Sequence, residues 1–336
     1  MTDIVLYGAA SYEGKVYAQV LVAAGLKPLL ADNVSSIHRQ AKELLCPSQV
    51  IKLNGDWSSL LSDAKVLINL KAPYKKTQKK LLSACLKTQT HYLDFCDDIA
   101  SLQRVYRFNN HAQDQGVMLM PGVGLTPTAL VATMIKTLLN RPHQLVLFQG
   151  VEGKYTKAMK LSWLSKLPQL PQARRKGALT DADISLEPKF FELQGQRFEG
   201  IRDYWHGDLF TAGLDTGIAN IDIYSTYPGW VTRLLRWRLR FLCPFLAFVN
   251  GLKSDKVLTD SQLKAGRTRI KAIASNGQDK RTLSLVGPHP VKWDALCLGV
   301  IVKEILNRHA PPGYQTPSVY GKALLDKAGS VTWLNH

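Results

Sequence analysis

The stretch Ile4-Val5-Leu6-Tyr7-Gly8-Ala9-Ala10-Ser11-Tyr12-Glu13-Gly14 decides the fold of this chain. Its four leading apolar residues predict a short buried strand, and the glycine-containing turn that follows leads directly into a helix. Such a turn presents backbone N–H groups and the positive end of the helix dipole, which together suit a pyrophosphate. We therefore predict that a dinucleotide contacts the turn formed by Gly8, Ala9, Ala10, Ser11, Tyr12, Glu13 and Gly14.

An acidic residue ends the second predicted strand. Asp32 lies eighteen residues after Gly14, a spacing at which a carboxylate accepts hydrogen bonds from both ribose hydroxyls of an adenosine. Because a carboxylate repels a 2′-phosphate, the sequence favours NAD over NADP, with Asn33 as a further contact. The alternative is that Gly8 and Gly14 only permit a tight turn and close helix packing, while Asp32 caps the helix near Ser35.

Strand-length apolar runs alternate with helix-length amphipathic segments through the first 125 residues. Parallel strands joined by such crossovers form a doubly wound sheet, so we predict an α/β protein with a Rossmann-type domain. The predicted strands are Ile4–Tyr7, Leu29–Ala31, Val50–Leu53, Val66–Leu70, Tyr92–Phe95 and Val117–Met120, and the predicted helices between them are Lys15–Ala24, Ser36–Leu45, Lys76–Leu86 and Leu102–Gln115.

The pattern changes after Pro121. A helix is predicted over Thr128–Leu139, and strands such as Leu145–Val151 and Ile218–Tyr224 stand among longer, proline-containing connections. We therefore predict a dinucleotide-binding domain over residues 1–125 and a second, mixed α/β domain for substrate binding or dimerisation over residues 126–290.

The composition excludes several classes of protein. Of the 336 residues, 46% are apolar and 21% are charged, which provides material for a buried core and excludes a disordered or fibrous chain. Five scattered cysteines without a Cys-x-x-Cys pair predict no disulfide framework and no metal site, and they favour a reducing, cytoplasmic location. No uncharged run reaches the roughly 18 residues of a membrane span, and no basic leader precedes the first strand, so we expect neither a spanning helix nor secretion.

Four segments of the sequence resemble the saccharopine dehydrogenase-like oxidoreductases, a group that includes saccharopine reductases and bacterial trans-acting enoyl reductases. The segments occur in the same order over nearly the whole chain. The resemblance implies a Rossmann domain, a nicotinamide cofactor, and a carboxyl-terminal segment, residues 291–336, that returns to the first domain. The matching segments are Gly8–Gly14 with Tyr12, Thr90–Asp94, Pro121–Gly124, and Gly313–Pro317 followed by Gly321.

The sequence also departs from the family pattern. Ser11 stands where relatives carry a third glycine, and its side chain either crowds the pyrophosphate or donates a hydrogen bond to it. Asp32 and Asn33 replace a Gly-Arg pair that suits a 2′-phosphate. Thr126 takes the place of an expected Asp, and the family's Gly-Thr stretch is not recognisable near residues 160–178.

The fourth predicted strand leads into a further departure. The family's Asn-x-x-Gly-Pro sequence becomes Asn69-Leu70-Lys71-Ala72-Pro73, followed by Tyr74. The resemblance implies that Asn69, Ala72 and Pro73 contact the cofactor.

Candidates for proton transfer lie near the ends of the fourth and fifth strands. They are Tyr74, His91, Tyr92 and Asp94. Because side chains alternate along a strand, His91 faces one way while Tyr92 and Asp94 face the other. We predict Asp94 and Tyr74 as the catalytic residues, and we interpret Tyr92 as a packed aromatic side chain whose hydroxyl bonds locally.

Positive charge is concentrated between residues 230 and 253. The chain has 43 Lys and Arg against 26 Asp and Glu, a formal net charge of +17. Aromatic and aliphatic residues alternate with the basic ones, which suits peripheral contact of residues 230–250 with an anionic membrane. An interface with another domain or protomer is the alternative, and we expect a homodimer; nucleic acid is disfavoured because no nucleic-acid motif accompanies the segment. The basic residues are Arg233, Arg236, Arg238, Arg240 and Lys253.

Together these features predict a nicotinamide-dependent oxidoreductase that transfers a hydride to or from an apolar or lipid-like small molecule. We expect the protein in the cytoplasm, or peripheral to the inner face of a membrane. The alternative is a catalytically degenerate family member that acts as a lipid-surface or partner-binding module, which Ser11, Thr126 and the missing Gly-Thr stretch favour.

Overall fold

The computed structural model describes residues 2–252 and 257–334, which leaves Lys253 of the basic segment outside the described residues. The chain forms two compact units that interleave in sequence. The first unit is Met1–Cys96, Ala100–Thr126 and Val291–Gly329, and the second is Asp97–Ile99, Pro127–Pro290 and Ser330–His336. The division at residues 125 and 290 that the sequence suggests stays a prediction.

The helices follow one another along the described parts of the chain, with short 3₁₀ turns at Val123–Leu125, Leu239–Leu242 and Pro317–Tyr320. In chain order they are α1 Tyr12–Ala23, α2 Ile37–Glu43, α3 Trp57–Leu60, α4 Tyr74–Thr88, α5 Ile99–Tyr106, α6 Asn109–Asp114, α7 Thr126–Thr137, α8 Lys157–Lys166, α9 Asp208–Thr216, α10 Gly229–Arg236, α11 Cys243–Leu252, α12 Asp260–Ala265, α13 Pro290–Leu306 and α14 Lys322–Ala328.

The strands form one sheet in each unit. In chain order they are β1 Ile4–Tyr7, β2 Leu29–Asp32, β3 Ser48–Val50, β4 Val66–Asn69, β5 His91–Asp94, β6 Met118–Met120, β7 Gln144–Glu152, β8 Gln172–Arg175, β9 Ala178–Asp181, β10 Lys189–Leu193, β11 Gln196–Arg202, β12 Asn220–Ser225, β13 Arg267–Ser275, β14 Lys280–Pro288, β15 Gly313–Tyr314 and β16 Thr332–Leu334.

The first unit contains a parallel sheet, as the sequence predicts. Within the described residues it has seven strands in the order β15-β6-β5-β4-β1-β2-β3, and all pairings in it are parallel. Every residue of β1 and β4 is buried, because helices cover both faces of a doubly wound sheet. The strand order reverses between β1 and β4, which is where ligands bind in such sheets.

Two sequence-based elements of this unit need correction. The third strand is Ser48–Val50 instead of Val50–Leu53; Gln49 and Val50 are exposed on the edge strand, so hydrophobicity does not mark it. The helix predicted over Leu102–Gln115 is two helices, α5 and α6, and neither proline nor glycine marks the break between them. The strand Ile4–Tyr7 is confirmed at both ends.

The second unit contains a mixed sheet. Its main path, within the described residues, runs β10-β11-β12-β7-β13-β14-β16. The long central strand β7 lies parallel to β12 and antiparallel to β13. The predicted fold class, a doubly wound parallel sheet with a second mixed α/β domain, is therefore confirmed.

Helices α8, α10 and α11 of the second unit share an apolar core. Its buried members are Leu164, Leu167, Tyr204, Trp205, Val231, Leu235 and Cys243. Among the residues described, no helix is both long and apolar enough to cross a membrane.

Candidate functional site

The turn after β1 requires glycine at both of its ends. Gly8 has a φ of +90°, and a Cβ added to it would lie 3.1 Å from the carbonyl carbon of Leu70. A Cβ on Gly14 would lie 2.5 Å from the carbonyl oxygen of Gly8. The two glycines therefore allow β1 and α1 to approach closely, as one of the alternatives predicts, and this close approach is also what a dinucleotide-binding turn needs.

Ser11 caps helix α1. Its hydroxyl donates to the Gly8 carbonyl oxygen at 2.8 Å and accepts from the Gly14 N–H at 3.0 Å. Because the Ser11 hydroxyl is both donor and acceptor within the turn, its hydrogen points at the Gly8 carbonyl oxygen and not at a pyrophosphate. Tyr12 and Glu13 form the first turn of α1, where the positive end of the helix dipole lies.

Several backbone N–H groups of this turn already have protein acceptors. The N–H groups of Gly8 and Ala9 donate to the Ala31 carbonyl oxygen, and that of Ser11 donates to the Gly8 carbonyl oxygen. The N–H of Ala10 donates to Oδ2 of Asp32 at 3.0 Å. The sequence-based expectation of free N–H groups is therefore wrong for these residues, and what the turn offers an anion is the positive end of the α1 dipole.

Asp32 ends β2 and is only 1% exposed. Its Oδ1 atom lies 2.6 Å from Nζ of Lys71 and accepts the N–H of Asn33 at 2.7 Å. The Lys71 ammonium also donates to Oδ1 of Asn33 at 2.8 Å. The alternative in which Asp32 caps the next helix is wrong, because its carboxylate bonds Ala10, Asn33 and Lys71 while α2 begins at Ile37.

Asn69 at the end of β4 is fully buried. Its Nδ2 group donates to the hydroxyls of Thr77 and Tyr92, both at 3.0 Å, and its Oδ1 atom accepts the Lys71 N–H. Asn69 therefore holds the backbone that carries Lys71. The neighbouring Ala72 and Pro73 are exposed in the loop that leads into α4.

Asp94 at the end of β5 is also fully buried. Its carboxylate accepts hydrogen bonds from the Tyr92 hydroxyl at 2.7 Å, the Gln78 amide at 2.9 Å, and the N–H groups of Cys96 and Gly122. Burial raises the pKa of Asp94, and the bonds from Gln78, Cys96 and Tyr92 oppose that rise. This geometry fixes the loops after β5 and β6, and the predicted catalytic role of Asp94 stays a prediction.

The predicted alternation along β5 is confirmed. Tyr92 and Asp94 bond to each other on one side, whereas Nδ1 of His91 accepts the N–H of Met118 at 2.9 Å. Tyr92 is buried and its hydroxyl also accepts from Asn69. The interpretation of Tyr92 as a packed aromatic residue with local hydrogen bonds is therefore correct.

A second polar group surrounds Tyr17 on α1, and sequence analysis missed it. The Tyr17 hydroxyl lies 3.4 Å from Oδ2 of Asp294 on α13. Burial raises the pKa of Tyr17, and the charges of Asp294, Glu13 and Tyr74 raise it further. The predicted catalytic residue Tyr74 is thus one of the groups that raise the pKa of Tyr17. No local motif marks Asp294, because it lies 277 residues from Tyr17 in sequence.

Asp294 also lies near the segment in which the family carries an aspartate. A Cβ added to Gly124 would lie 3.5 Å from its carboxylate. Thr126, which replaces the expected aspartate, is buried and donates from Oγ1 to the Val123 carbonyl oxygen at 2.6 Å. The Thr126 side chain therefore makes a hydrogen bond within the turn at residues 123–126. The carboxylate that lies beside Gly124 comes from Asp294.

The second unit contains a separate ion pair in which the lysine is buried and the aspartate side chain is 37% exposed. Lys166 is 3% exposed, and its ammonium lies 2.9 Å from Oδ2 of Asp97, which also accepts from the Ser162 hydroxyl. Burial raises the pKa of Asp97, but Lys166 and Ser162 lower it more, so the net shift is downward. Lys166 therefore remains charged and holds Asp97 in place.

The first unit fits a dinucleotide. The glycine turn has no room for a side chain at Gly8 or Gly14, and a buried carboxylate stands at the end of the neighbouring strand. A cavity of about 730 Å³ in this unit lies elsewhere, beside β3 and the start of β2, where Leu29 and Ile51 line it. Among the described residues no cluster of His, Cys, Asp or Glu could hold a metal ion.

Comparison with known proteins agrees with this architecture. No protein-family model matches the sequence. Trans-acting enoyl reductases of Mycobacterium tuberculosis and Mycobacterium bovis are 28% identical over a match that covers 36% of this chain and 32% of theirs. The match thus spans about a third of the length of these curated relatives.

A solved structure matches over the whole chain. Apo saccharopine dehydrogenase (L-Glu forming) from Saccharomyces cerevisiae is 12% identical, with all of both chains covered and a TM-score of 0.66. The predicted resemblance is therefore confirmed at the level of the fold: this chain has the architecture of a saccharopine dehydrogenase-like protein.

Proposed function

We propose that this protein is an oxidoreductase that uses a nicotinamide cofactor, preferentially NAD, and acts on an apolar or lipid-like substrate. The observation that carries the proposal is the glycine turn between β1 and α1, which stands beside the buried Asp32 where the strand order reverses. In open parallel sheets this is the place of a dinucleotide. The likeness in fold to a dehydrogenase and the partial match to enoyl reductases support the same class.

In this proposal the two ends of the cofactor contact different residues. The first turn of α1 holds the diphosphate, with Gly14 giving it close access. Asp32 and Asn33 accept hydrogen bonds from the hydroxyls of the adenosine ribose. Asn69 contributes to the site indirectly, because its side chain holds the backbone of Lys71. Ala72 and Pro73 lie in the loop between β4 and α4 and contact the cofactor there. The bound nicotinamide supplies or accepts the hydride.

Proton transfer falls to the group around Tyr17. Tyr74 is the proposed proton donor, since it is partly exposed at the start of α4. The raised pKa of Tyr17 keeps its hydroxyl protonated beside the Asp294 carboxylate. Asp94 is the second proposed catalytic residue, and its hydrogen bonds also tie the loop after β5 to Gly122.

Binding of NADH to the full-length protein tests the proposal. Nicotinamide fluorescence and thermal stabilisation should both rise on titration of the wild type. Gly14→Ala should weaken binding by at least about tenfold, because its Cβ enters the turn. Gly299→Ala is the matched control, since a Cβ there meets no atom within 4 Å. Wild-type protein that binds neither NADH nor NADPH would overturn the proposal.

The second candidate is a non-catalytic member of the same fold that acts at a lipid surface. The full burial of Asp94 and the large apolar residues exposed on α11 favour it. Binding to liposomes by a wild-type protein that binds no nicotinamide would select this candidate.

A further inference from the structure

Helix α11 and the turn before it expose an unusual number of large apolar side chains. We call Trp237, Phe241, Phe245, Phe248 and Leu252 the aromatic surface; they are 68%, 70%, 65%, 66% and 73% exposed. Single exposed apolar residues are common on soluble proteins, but a contiguous group marks an interaction site.

The spacing of these residues places most of them on one side of the helix. Phe245, Phe248 and Leu252 recur at intervals of three and four residues within α11, which is one face of a helix, and Phe241 lies in the 3₁₀ turn Leu239–Leu242 that precedes it. The opposite face packs inward: Cys243 is buried, and Leu246 and Ala247 contact the core. The aromatic surface therefore faces solvent because the other side of α11 is already packed.

Two further contacts hold this orientation. The Lys157 ammonium donates to the Gly251 carbonyl oxygen at 3.0 Å, which ties the end of α11 to α8. Val231 and Leu235 of α10 are buried in the same core as Cys243. The aromatic surface is therefore held toward solvent by the packing of α8, α10 and α11 against one another.

The charge around the aromatic surface is positive. Arg233, Arg236 and Arg238 are exposed, and residues 229–252 contain no Asp or Glu. Aromatic rings at an apolar margin, with cations beside them, match the boundary of an anionic lipid layer. A basic residue near such a surface adds to the binding and makes it sensitive to salt.

A cavity of about 420 Å³ lies beside helix α10, which precedes the aromatic surface in the chain. Arg233 and Arg236 line it together with the hydroxyl residues Thr226, Tyr227 and Thr232, and Glu199 also contributes to its wall. Arg236 is followed directly by Trp237, so one residue of the cavity wall is the chain neighbour of one residue of the aromatic surface. Two guanidinium groups and several hydroxyls are suited to a phosphate-bearing headgroup.

Other occupants of this surface fit less well. A two-fold interface with a second copy would bring the same arginines together, with no acidic residue in the segment to pair them. Helix α11 has 10 residues, far fewer than the roughly 20 that a spanning helix needs. Single-stranded nucleic acid would use the arginines and aromatic rings but not the apolar face that ends at Leu252.

We propose that the aromatic surface docks on an anionic lipid membrane, with the arginine-lined cavity taking a lipid phosphate headgroup. The protein then binds in the plane of the membrane surface and does not span it. This proposal is independent of the cofactor site, since all of its residues lie in the second unit.

Co-sedimentation of the full-length protein with vesicles tests the proposal. Wild type should bind phosphatidylglycerol-containing vesicles at low ionic strength, and bind much less to pure phosphatidylcholine vesicles or at high ionic strength. The variant Trp237→Ser/Phe241→Ser/Phe245→Ser should lose binding. The variant Leu45→Ser/Leu138→Ser/Leu170→Ser, which replaces exposed leucines elsewhere, is the matched control and should bind as the wild type does.

A charge variant separates electrostatic attraction from simple apolar adsorption. Arg233→Gln/Arg236→Gln/Arg238→Gln should lower the partition coefficient for anionic vesicles on the order of 100-fold and leave binding to neutral vesicles unchanged. Thermal unfolding must match the wild type for each variant, so that lost binding is not lost folding.

Three outcomes would overturn the proposal. The first is wild-type protein that ignores anionic vesicles at low salt. The second is a serine variant that changes its oligomeric state in size-exclusion chromatography with light scattering while vesicle binding stays constant. The third is binding of a single-stranded oligonucleotide that phosphatidylglycerol vesicles do not displace.

Discussion

The ammonium of Lys71 lies 2.6 Å from the carboxylate of Asp32, which is only 1% exposed. The same ammonium bonds the side chain of Asn33. The carboxylate expected to select NAD therefore has a cation beside it, and the two charges act in opposite directions on a 2′-phosphate.

Cofactor selection should follow this pair. We expect wild type to bind NADH more tightly than NADPH, because Asp32 accepts ribose hydroxyls and repels a phosphate. Asp32→Asn should lower the ratio of NADH affinity to NADPH affinity on the order of tenfold, because the Lys71 ammonium then attracts the 2′-phosphate without an opposing carboxylate. Lys71→Met should raise this ratio, because the Asp32 carboxylate then repels the phosphate without a neighbouring cation. Isothermal titration calorimetry with both cofactors measures the ratio.

Lys65→Met is the matched control for Lys71→Met. Lys65 pairs with Asp3 at 3.2 Å, with both side chains at least half exposed, so the NADH to NADPH ratio should not change. Tighter binding of NADPH than NADH by the wild type would contradict the assigned role of Asp32.

The cap at Ser11 gives a prediction about stability. Ser11→Ala should lower the free energy of unfolding by about 1 kcal/mol, because the Gly14 N–H loses its acceptor, whereas Ser11→Gly should lower it by only a few tenths of that. Urea denaturation measures the difference. If Ser11→Gly also binds NADH more tightly than the wild type, then the side chain crowds the pyrophosphate as well as capping α1.

The Tyr92 hydroxyl links Asn69 to Asp94 inside the first unit. Tyr92→Phe leaves both groups buried without that partner, so the free energy of unfolding should fall by about 1–3 kcal/mol. Tyr320→Phe is the control, since the Tyr320 hydroxyl donates to the His309 carbonyl oxygen at the surface. This variant should lose less free energy of unfolding than Tyr92→Phe. Equal losses in the two variants, measured by chemical denaturation, would argue against the buried network.

The Lys166–Asp97 pair predicts an effect of pH. The folded-state pKa of Asp97 is below its usual value, so its stabilising contribution is present above about pH 4 and is lost as pH falls through the folded pKa. The stability difference between wild type and Lys166→Met should therefore shrink in acid, and at neutral pH it should be about 1–3 kcal/mol, because the 37% exposed Asp97 carboxylate stays partly hydrated.

The exposed pair Lys322–Asp326 supplies the comparison for this experiment. Both side chains are 48% exposed, and Lys322→Met should cost no more than about 1 kcal/mol at neutral pH. A Lys166→Met difference that stays constant from pH 7 to about pH 2 would show that Asp97 does not titrate as a paired carboxylate.

The sequence predicts best what is determined locally. The strand Ile4–Tyr7, the glycine turn and the alternation of Tyr92 with His91 follow from neighbouring residues, and the structure agrees with them. The edge strand β3 lies earlier in the chain than the sequence predicts, because its exposed residues carry no hydrophobic pattern.

Contacts between distant parts of the chain could not be predicted in this way. Lys71 approaches Asp32 across 39 residues, and Tyr17 approaches Asp294 across 277. These pairs depend on which helix packs beside which strand end, and residue periodicity contains no such information. Five lysines and no acidic residue lie between residues 71 and 80, but nothing local identifies Lys71 as the partner of Asp32.

The interleaving of the two units bears on how the protein is made. Strand β15 pairs with β6 in the first sheet, and β16 pairs with β14 in the second. Neither sheet can be completed until residues 313–334 have left the ribosome, although synthesis usually lets an amino-terminal domain fold first. The edge of β6 in the nascent chain therefore stays unpaired until late in translation. A fragment that stops at residue 125 would lack β15, the edge strand of the parallel sheet.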